Sequence, residues 1–175
     1  MDTHDETTRL GPVPSSHGRT GSHGPGCPVR DTLAYLAGAW HVERLVRDLD
    51  GGAEGRFTGR ADFTAEPPHG ALRHVEEGSF TWSGVTRPAT REHRFEPAGD
   101  GTALVRFSDG RLFHPLDLRT GTCVVGHPCA ADHYRGEFTV LGEDRWRVVW
   151  RVSGPAKDLL LTTVHSRIGA GPEPV

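Results

Sequence analysis

DTLAYLAGAWHVERLV, residues 31–46, changes its period half-way along. Asp31 stands where a side-chain oxygen can cap a first turn. Leu33, Tyr35 and Leu36 follow at helical spacing and Gly38 stops the run, so the segment predicts a helix of one or two turns. From Trp40 the apolar positions fall on alternate residues, Trp40, Val42 and Val46, with Arg44 in the same phase. A helix hands over to a strand at Gly38.

Beyond Val46 no helical period returns. The chain gives short runs rich in Val, Phe, Trp and Thr, cut by turn signals at Asp50-Gly51-Gly52, Pro67-Pro68-His69-Gly70, Ser83-Gly84, Gly99-Asp100-Gly101, Asp109-Gly110, Thr120-Gly121, Gly142-Glu143-Asp144 and Gly154-Pro155. Strands punctuated this way form an antiparallel meander. Without crossover helices, closing the sheet removes its exposed edges. The expected fold is therefore all-β: a closed antiparallel up-and-down barrel of about 8–10 strands with a short N-terminal helix. It occupies residues 29–169 as one domain. Residues 1–28, with SSHGRTGSHGPGCP and few large apolar side chains, read as a disordered tail that holds His4, His17 and His23, and 170–175 as a flexible C-terminus.

A length of 175 residues suits one domain. A net charge of −3 and a pI near 6.4 leave no broad basic face, so neither nucleic acid nor an anionic membrane is expected as a partner. No apolar run reaches the roughly 20 residues of a membrane span. The opening MDTHDETTRL is acidic where a signal peptide is basic, and Cys27, Cys123 and Cys129 form no disulfide framework. The expected compartment is the cytoplasm. Trp82 and the outer strand faces leave a homo-oligomer open.

Gly38-Ala39-Trp40 at the start of the first strand, with Arg167 near the end of the last, resembles the lipocalin or calycin signature. The resemblance implies that Trp40 packs under the closed end of the barrel and Arg167 stacks across it. The segments FSDGRLFHPLDL, HPCAADHYRG and WRVSGPAKD, followed by TVHSR, resemble an uncharacterised bacterial family of unknown function with F-x-D-G-R-x-F-H, H-x-C-x-x-D-x-Y and G-P-x-K-D motifs. That family's pattern carries tyrosine where this chain has His74, His93 and His165. The resemblance implies a fold and candidate positions and no activity.

With Trp40 and Arg167 as anchors, alternation assigns the inward face. It contains Arg44 on strand one, His74 and Glu76 on strand three, Arg91 and His93 on strand four, and Thr163 and His165 on strand ten. Counting from the floor puts His74, His93 and His165 in one layer, with Glu76 and Arg91 one layer higher. Three neutral imidazoles and a carboxylate suit a divalent transition metal such as Fe, Zn, Mn or Cu, with an open position for water or substrate. The first expectation is a metal-dependent enzyme acting on a small-molecule substrate. His74, His93 and His165 would be its ligands, Glu76 a fourth ligand or base, and Arg91 or Arg44 would hold a substrate carboxylate.

The stretch from Arg111 to Gly136 adds His114, His127, Cys129, Asp132 and Tyr134. His127 and Cys129 share a face. Asp132 and Tyr134 join them if the chain bends at Ala130-Ala131, and a bulge at Pro115 would decide whether Phe113 or His114 enters the barrel. These residues support a second reading, a cofactor-free isomerase, cyclase or lyase in which they do acid–base work and Lys157 orients the substrate. A third reading is a non-catalytic barrel binding a small ligand, with haem suited less well because of the crowd of histidines and arginines.

Overall fold

Arg167 closes the barrel floor as the Trp40 anchor requires. In the computed structural model, which describes residues 26–169, its guanidinium lies 4.1 Å from the centre of the Trp40 ring. Its Nη1 donates to Ala37 O at 3.0 Å and its Nη2 to Tyr35 O at 2.8 Å, so one side chain ties the last strand to the end of the helix. Trp40 is fully buried and donates from Nε1 to Leu36 O at 2.8 Å. The helix α1 (Thr32–Leu36) is capped by Asp31, whose Oδ1 accepts from Ala34 N at 2.8 Å.

Ten antiparallel strands follow: β1 (Gly38–Asp48), β2 (Glu54–Glu66), β3 (Ala71–Trp82), β4 (Val85–Gly99), β5 (Thr102–Phe107), β6 (Leu112–Leu116), β7 (Thr122–Cys129), β8 (Asp132–Gly142), β9 (Arg145–Gly154) and β10 (Lys157–Arg167). Their order is β6-β5-β4-β3-β2-β1-β10-β9-β8-β7, each strand beside its sequence neighbour except where β1 meets β10. The result is a nearly closed up-and-down barrel. The remaining seam lies between β6 and β7, which share no ladder; Pro115 on β6 and Pro128 on β7 each remove a backbone donor. Side chains cover the seam, with the Phe113 and His127 rings 5.2 Å apart. At its floor end Cys27 N donates to Val140 O at 2.9 Å, so residues 26–28 lie against the barrel. The remainder of the tail expected from sequence, with His4, His17 and His23, and residues 170–175 lie outside the described residues.

One row of small side chains shapes the interior. Gly59, Gly78 and Ala89 are paired across β2, β3 and β4, and a Cβ on either glycine would come within 2.7 Å of the Phe57 ring. A larger residue at either glycine would displace Phe57. The aromatic core is built from Phe63, Phe95, Phe138, Trp146 and Trp150.

One detail of register differs from expectation and a second meets the condition set for Asp132 and Tyr134. Val105 pairs with His114 and Arg106 with Leu112, so the bulge falls at Phe113 and not at Pro115. The extra residue lets both Phe113 and His114 reach the interior. On the other side of the seam Cys129 pairs with Asp132 and His127 with Tyr134 across a two-residue turn, with Ala130 at φ 53°. The bend is the hairpin itself, and the four residues share one face.

Candidate functional site

Glu76 sits near the middle of the barrel, 2% exposed, with two guanidinium groups on it. The register brings them there: Arg91 lies directly across from Glu76 on β4, and Arg44 on β1 faces Phe57, two inward positions from the Ala61 that pairs with Glu76. Arg44 forms a fork, Nη1 to Oε1 at 2.8 Å and Nη2 to Oε2 at 2.7 Å, and its Nε donates to Thr163 Oγ1 at 2.8 Å. Arg91 gives one bond, Nη2 to Oε2 at 3.0 Å. Burial pushes the Glu76 carboxyl up, but the bonded Arg44 and the nearby Arg91 outweigh it and hold the pKa down at about 2.

The two arginines differ in kind. Arg44 is 11% exposed and every face of its guanidinium is engaged; Arg91 is 41% exposed and, among the described residues, its Nε and Nη1 have no partner. Two cations against one carboxylate leave an excess positive charge on Arg91.

Two cavities meet at this residue. The deeper, of about 50 Å³, is lined by aromatic rings and by His74, His93, His114 and His165. The upper, of about 320 Å³, has Val46, Phe57, Phe80, Ala89 and Leu161 as its apolar wall and Arg44, Glu76 and Arg91 as its floor. A cavity of about 150 Å³ is needed for a ligand as small as benzene, so the deep chamber holds a few waters and the upper one can hold a ligand. No histidine lines the upper cavity.

The three expected metal ligands, His74, His93 and His165, all reach the barrel interior, each against a ring neighbour. His165 lies flat on Trp146, with centroids 3.6 Å apart and planes 3° apart, while His74 and His93 stack on each other at 5.8 Å. Among the described residues no three His, Cys, Asp or Glu side chains form a group that could hold a metal ion. Burial, with the positive charge of Arg91 behind it, pushes His74 down to about 3 and His93 to about 4; burial, helped by His74, Arg44 and Arg91 against the opposing Glu76, pushes His165 well below its ordinary value. His114 falls to about 4 by burial, against a 2.8 Å bond from Nδ1 to Pro115 O that fixes the proton on Nδ1. Among the described residues His74 Nδ1, His165 Nδ1 and Trp146 Nε1 have no partner, a need that buried water would meet.

The remaining sequence candidates form a separate group at the open rim. Lys157 Nζ lies 2.6 Å from Asp132 Oδ2, which raises the lysine pKa and keeps the amine protonated. Tyr134 and His127 face each other with ring centroids 6.3 Å apart, and Cys129 is exposed beside the turn. Alternation puts Trp146, Trp150, Phe57, Phe80 and Leu161 on inward faces, but gives neither the packing of the tryptophans on the histidines nor the upper cavity. The Arg44–Thr163 contact was recoverable, since the two residues are directly paired once β1 is set against β10.

Over residues 36–167 the chain matches the model of a family of unknown function, DUF6314. It belongs to that family. The match takes in this DUF6314 protein's barrel from the end of α1 to the Arg167 lock. No curated protein matches it in sequence. Among solved structures it is similar to the S-type phycobiliprotein lyase CPES from Guillardia theta, with a TM-score of 0.59 and 12% identity over 79% of this chain and 92% of that one. It is also similar to a protein of unknown function of the DUF3598 family from Nostoc punctiforme, with a TM-score of 0.57 and 13% identity over 85% of this chain and 53% of that one. At such identities the shared feature is the lipocalin-like barrel.

Proposed function

We propose that this DUF6314 protein binds a small amphipathic anion, most simply a carboxylate, in the upper cavity of the barrel. The observation that carries the reading is the unspent guanidinium of Arg91 at the floor of an otherwise apolar 320 Å³ space. Arg44 already neutralises Glu76 through both oxygens, so Arg91 can turn its free Nε and Nη1 to a ligand without stranding a buried charge. A volume of this size falls in the range of small-ligand sites, which pair an apolar lining with a few polar anchors. Haem suits the cavity less, because its wall offers no histidine.

A second reading adds metal-free lyase or isomerase chemistry. It is favoured by the rim, where the pairs His127–Tyr134 and Cys129–Asp132 share a face and Lys157 is bonded to Asp132. The fold likeness to a phycobiliprotein lyase agrees with it and does not carry it.

The test is a fluorescence titration with 1-anilinonaphthalene-8-sulfonate, an amphipathic anion that brightens on entering an apolar site. Arg91→Leu should weaken binding about 10-fold or more, the usual consequence of losing a charge-assisted bond. Lys157→Met should leave it unchanged. Equal affinity in the wild type and Arg91→Leu would sink the reading.

A further inference from the structure

The β3–β4 hairpin rises past β5, with β2 alongside β3 as far as Trp82. Its turn, Ser83-Gly84, has φ of 48° and 79°, the pair of positive angles that closes a two-residue hairpin. β5 covers β4 no higher than His93, so the inward positions Arg91, Ala89, Arg87 and Val85 are paired with β3 alone. Opposite the last two stand Phe80 and Trp82, whose rings stack with centroids 6.0 Å apart and planes 29° apart. They lie over Gly55 on β2, where a Cβ would come within 2.8 Å of the Phe80 ring.

A groove of about 420 Å³ runs along this face, lined by Phe80, Trp82, Ser83, Val85 and Arg87. Phe80 also lines the upper cavity, so groove and cavity adjoin along one side chain. Val85 is 55% exposed, and Arg87 has no hydrogen-bond or ion-pair partner among the described residues. A hairpin tip has no packing need for two stacked aromatic rings and an unpaired guanidinium.

We infer that the hairpin is a second subsite of the same binding site and that the ligand is an elongated acid with a flat aromatic or conjugated end. Its carboxylate lies on Arg91, its middle over Ala89 and Phe57, and its flat end against Phe80 and Trp82. Four strand residues separate Arg91 from Arg87 and six separate it from Val85, a rise of about 13 to 20 Å at about 3.3 Å per residue. That is the distance from anion to ring in the ligand. Arg87 can lay its guanidinium over the same π-system.

The inference rests on the anion reading above, and a titration can separate the two. Calorimetry with 12-phenyldodecanoate and dodecanoate, acids of matched chain that differ in the terminal ring, should show the first bound about fivefold tighter, the scale of one aromatic contact. Trp82→Ala should abolish that preference and Trp82→Phe should keep most of it. Equal binding of the two acids, or a preference that survives Trp82→Ala while Arg91→Leu weakens both, would overturn the hairpin subsite and leave the anion site standing. If Arg91→Leu alters neither affinity, the anion site itself is refuted, and this inference with it.

Discussion

Replacing Arg44 by methionine removes both bonds that fork Glu76, and the bond to Thr163, while leaving Arg91 as the single partner of a carboxylate that is 2% exposed. Removing one member of a buried pair costs about 3–5 kcal/mol, because the remaining charge is stranded. The titration of Glu76 gives the same scale: between its ordinary value of 4.5 and about 2, the difference is worth about 3 kcal/mol. For a domain of this size that is a fall in Tm of about 10 °C or more. Arg91→Met should behave differently. Its side chain is 41% exposed and gives one bond, so the loss is about 1 kcal/mol. The assay is urea unfolding at pH 7 for both variants and for Arg44→Met/Glu76→Gln, in which the stranded charge is gone and most of the stability should return. Because the folded pKa is below the unfolded one, the Glu76 contribution is complete above about pH 4.5 and fades as pH falls toward 2; that part of the acid profile should vanish in Arg44→Met. Equal losses for Arg44→Met and Arg91→Met would refute the division between a structural and a ligand-facing arginine.

The buried histidines should make the fold acid-sensitive. His74, His93 and His114 are held at about 3, 4 and 4, with His165 also lowered, against an ordinary 6.5, so the unfolded chain takes up protons first. Stability should be complete above about pH 6.5 and fall by about 2 kcal/mol per buried imidazole by pH 5, as urea midpoints at pH 7.5 and 5 would show; a flat profile would contradict this. Ala89→Phe should fill the upper cavity and abolish anilinonaphthalenesulfonate binding with little change in Tm, a result lost if the dye binds elsewhere. Trp40→Ala should cost about 3–5 kcal/mol by emptying a fully buried site and freeing Arg167, measurable by denaturant titration. Metal analysis of untagged protein should find no stoichiometric transition metal, and His74→Ala should change stability without changing metal content; one equivalent lost in that variant would restore the metal reading.

Much of the barrel was legible because a strand has a period of two and this chain obeys it. Once Trp40 was taken as inward, Arg44, Glu76 and Arg91 followed by counting, and their meeting needed nothing but register. Ring orientation was beyond reach. His74, His93 and His165 occupy inward positions, but the direction in which an imidazole turns its nitrogens depends on its neighbours, and Trp146, directly across from His165, captures that ring face to face. Counting heights along strands also ignores their tilt in a barrel, about 35–45°, so equal counts do not give equal depth. The bend at Ala130-Ala131 was legible from the phase of Asp132 and Tyr134, but the bulge was set at the wrong residue: Pro115 signals an irregular edge without saying on which residue the register slips. The cavity was also hard to read: Phe57 fills the space over Gly59 and Gly78, Ala89 is the small residue in the wall, and small residues carry no chemical flag in a sequence.

The contact at the centre of this account can be observed on the guanidinium itself. In protein labelled with 15N-arginine, the Nε–H resonance of Arg91 should shift and its exchange with water should slow as dodecanoate is added to saturation. The Nε–H of Arg44, already bonded to Thr163, should stay where it is. Saturation of the protein with no change at Arg91 would contradict the claim that this residue receives the anion.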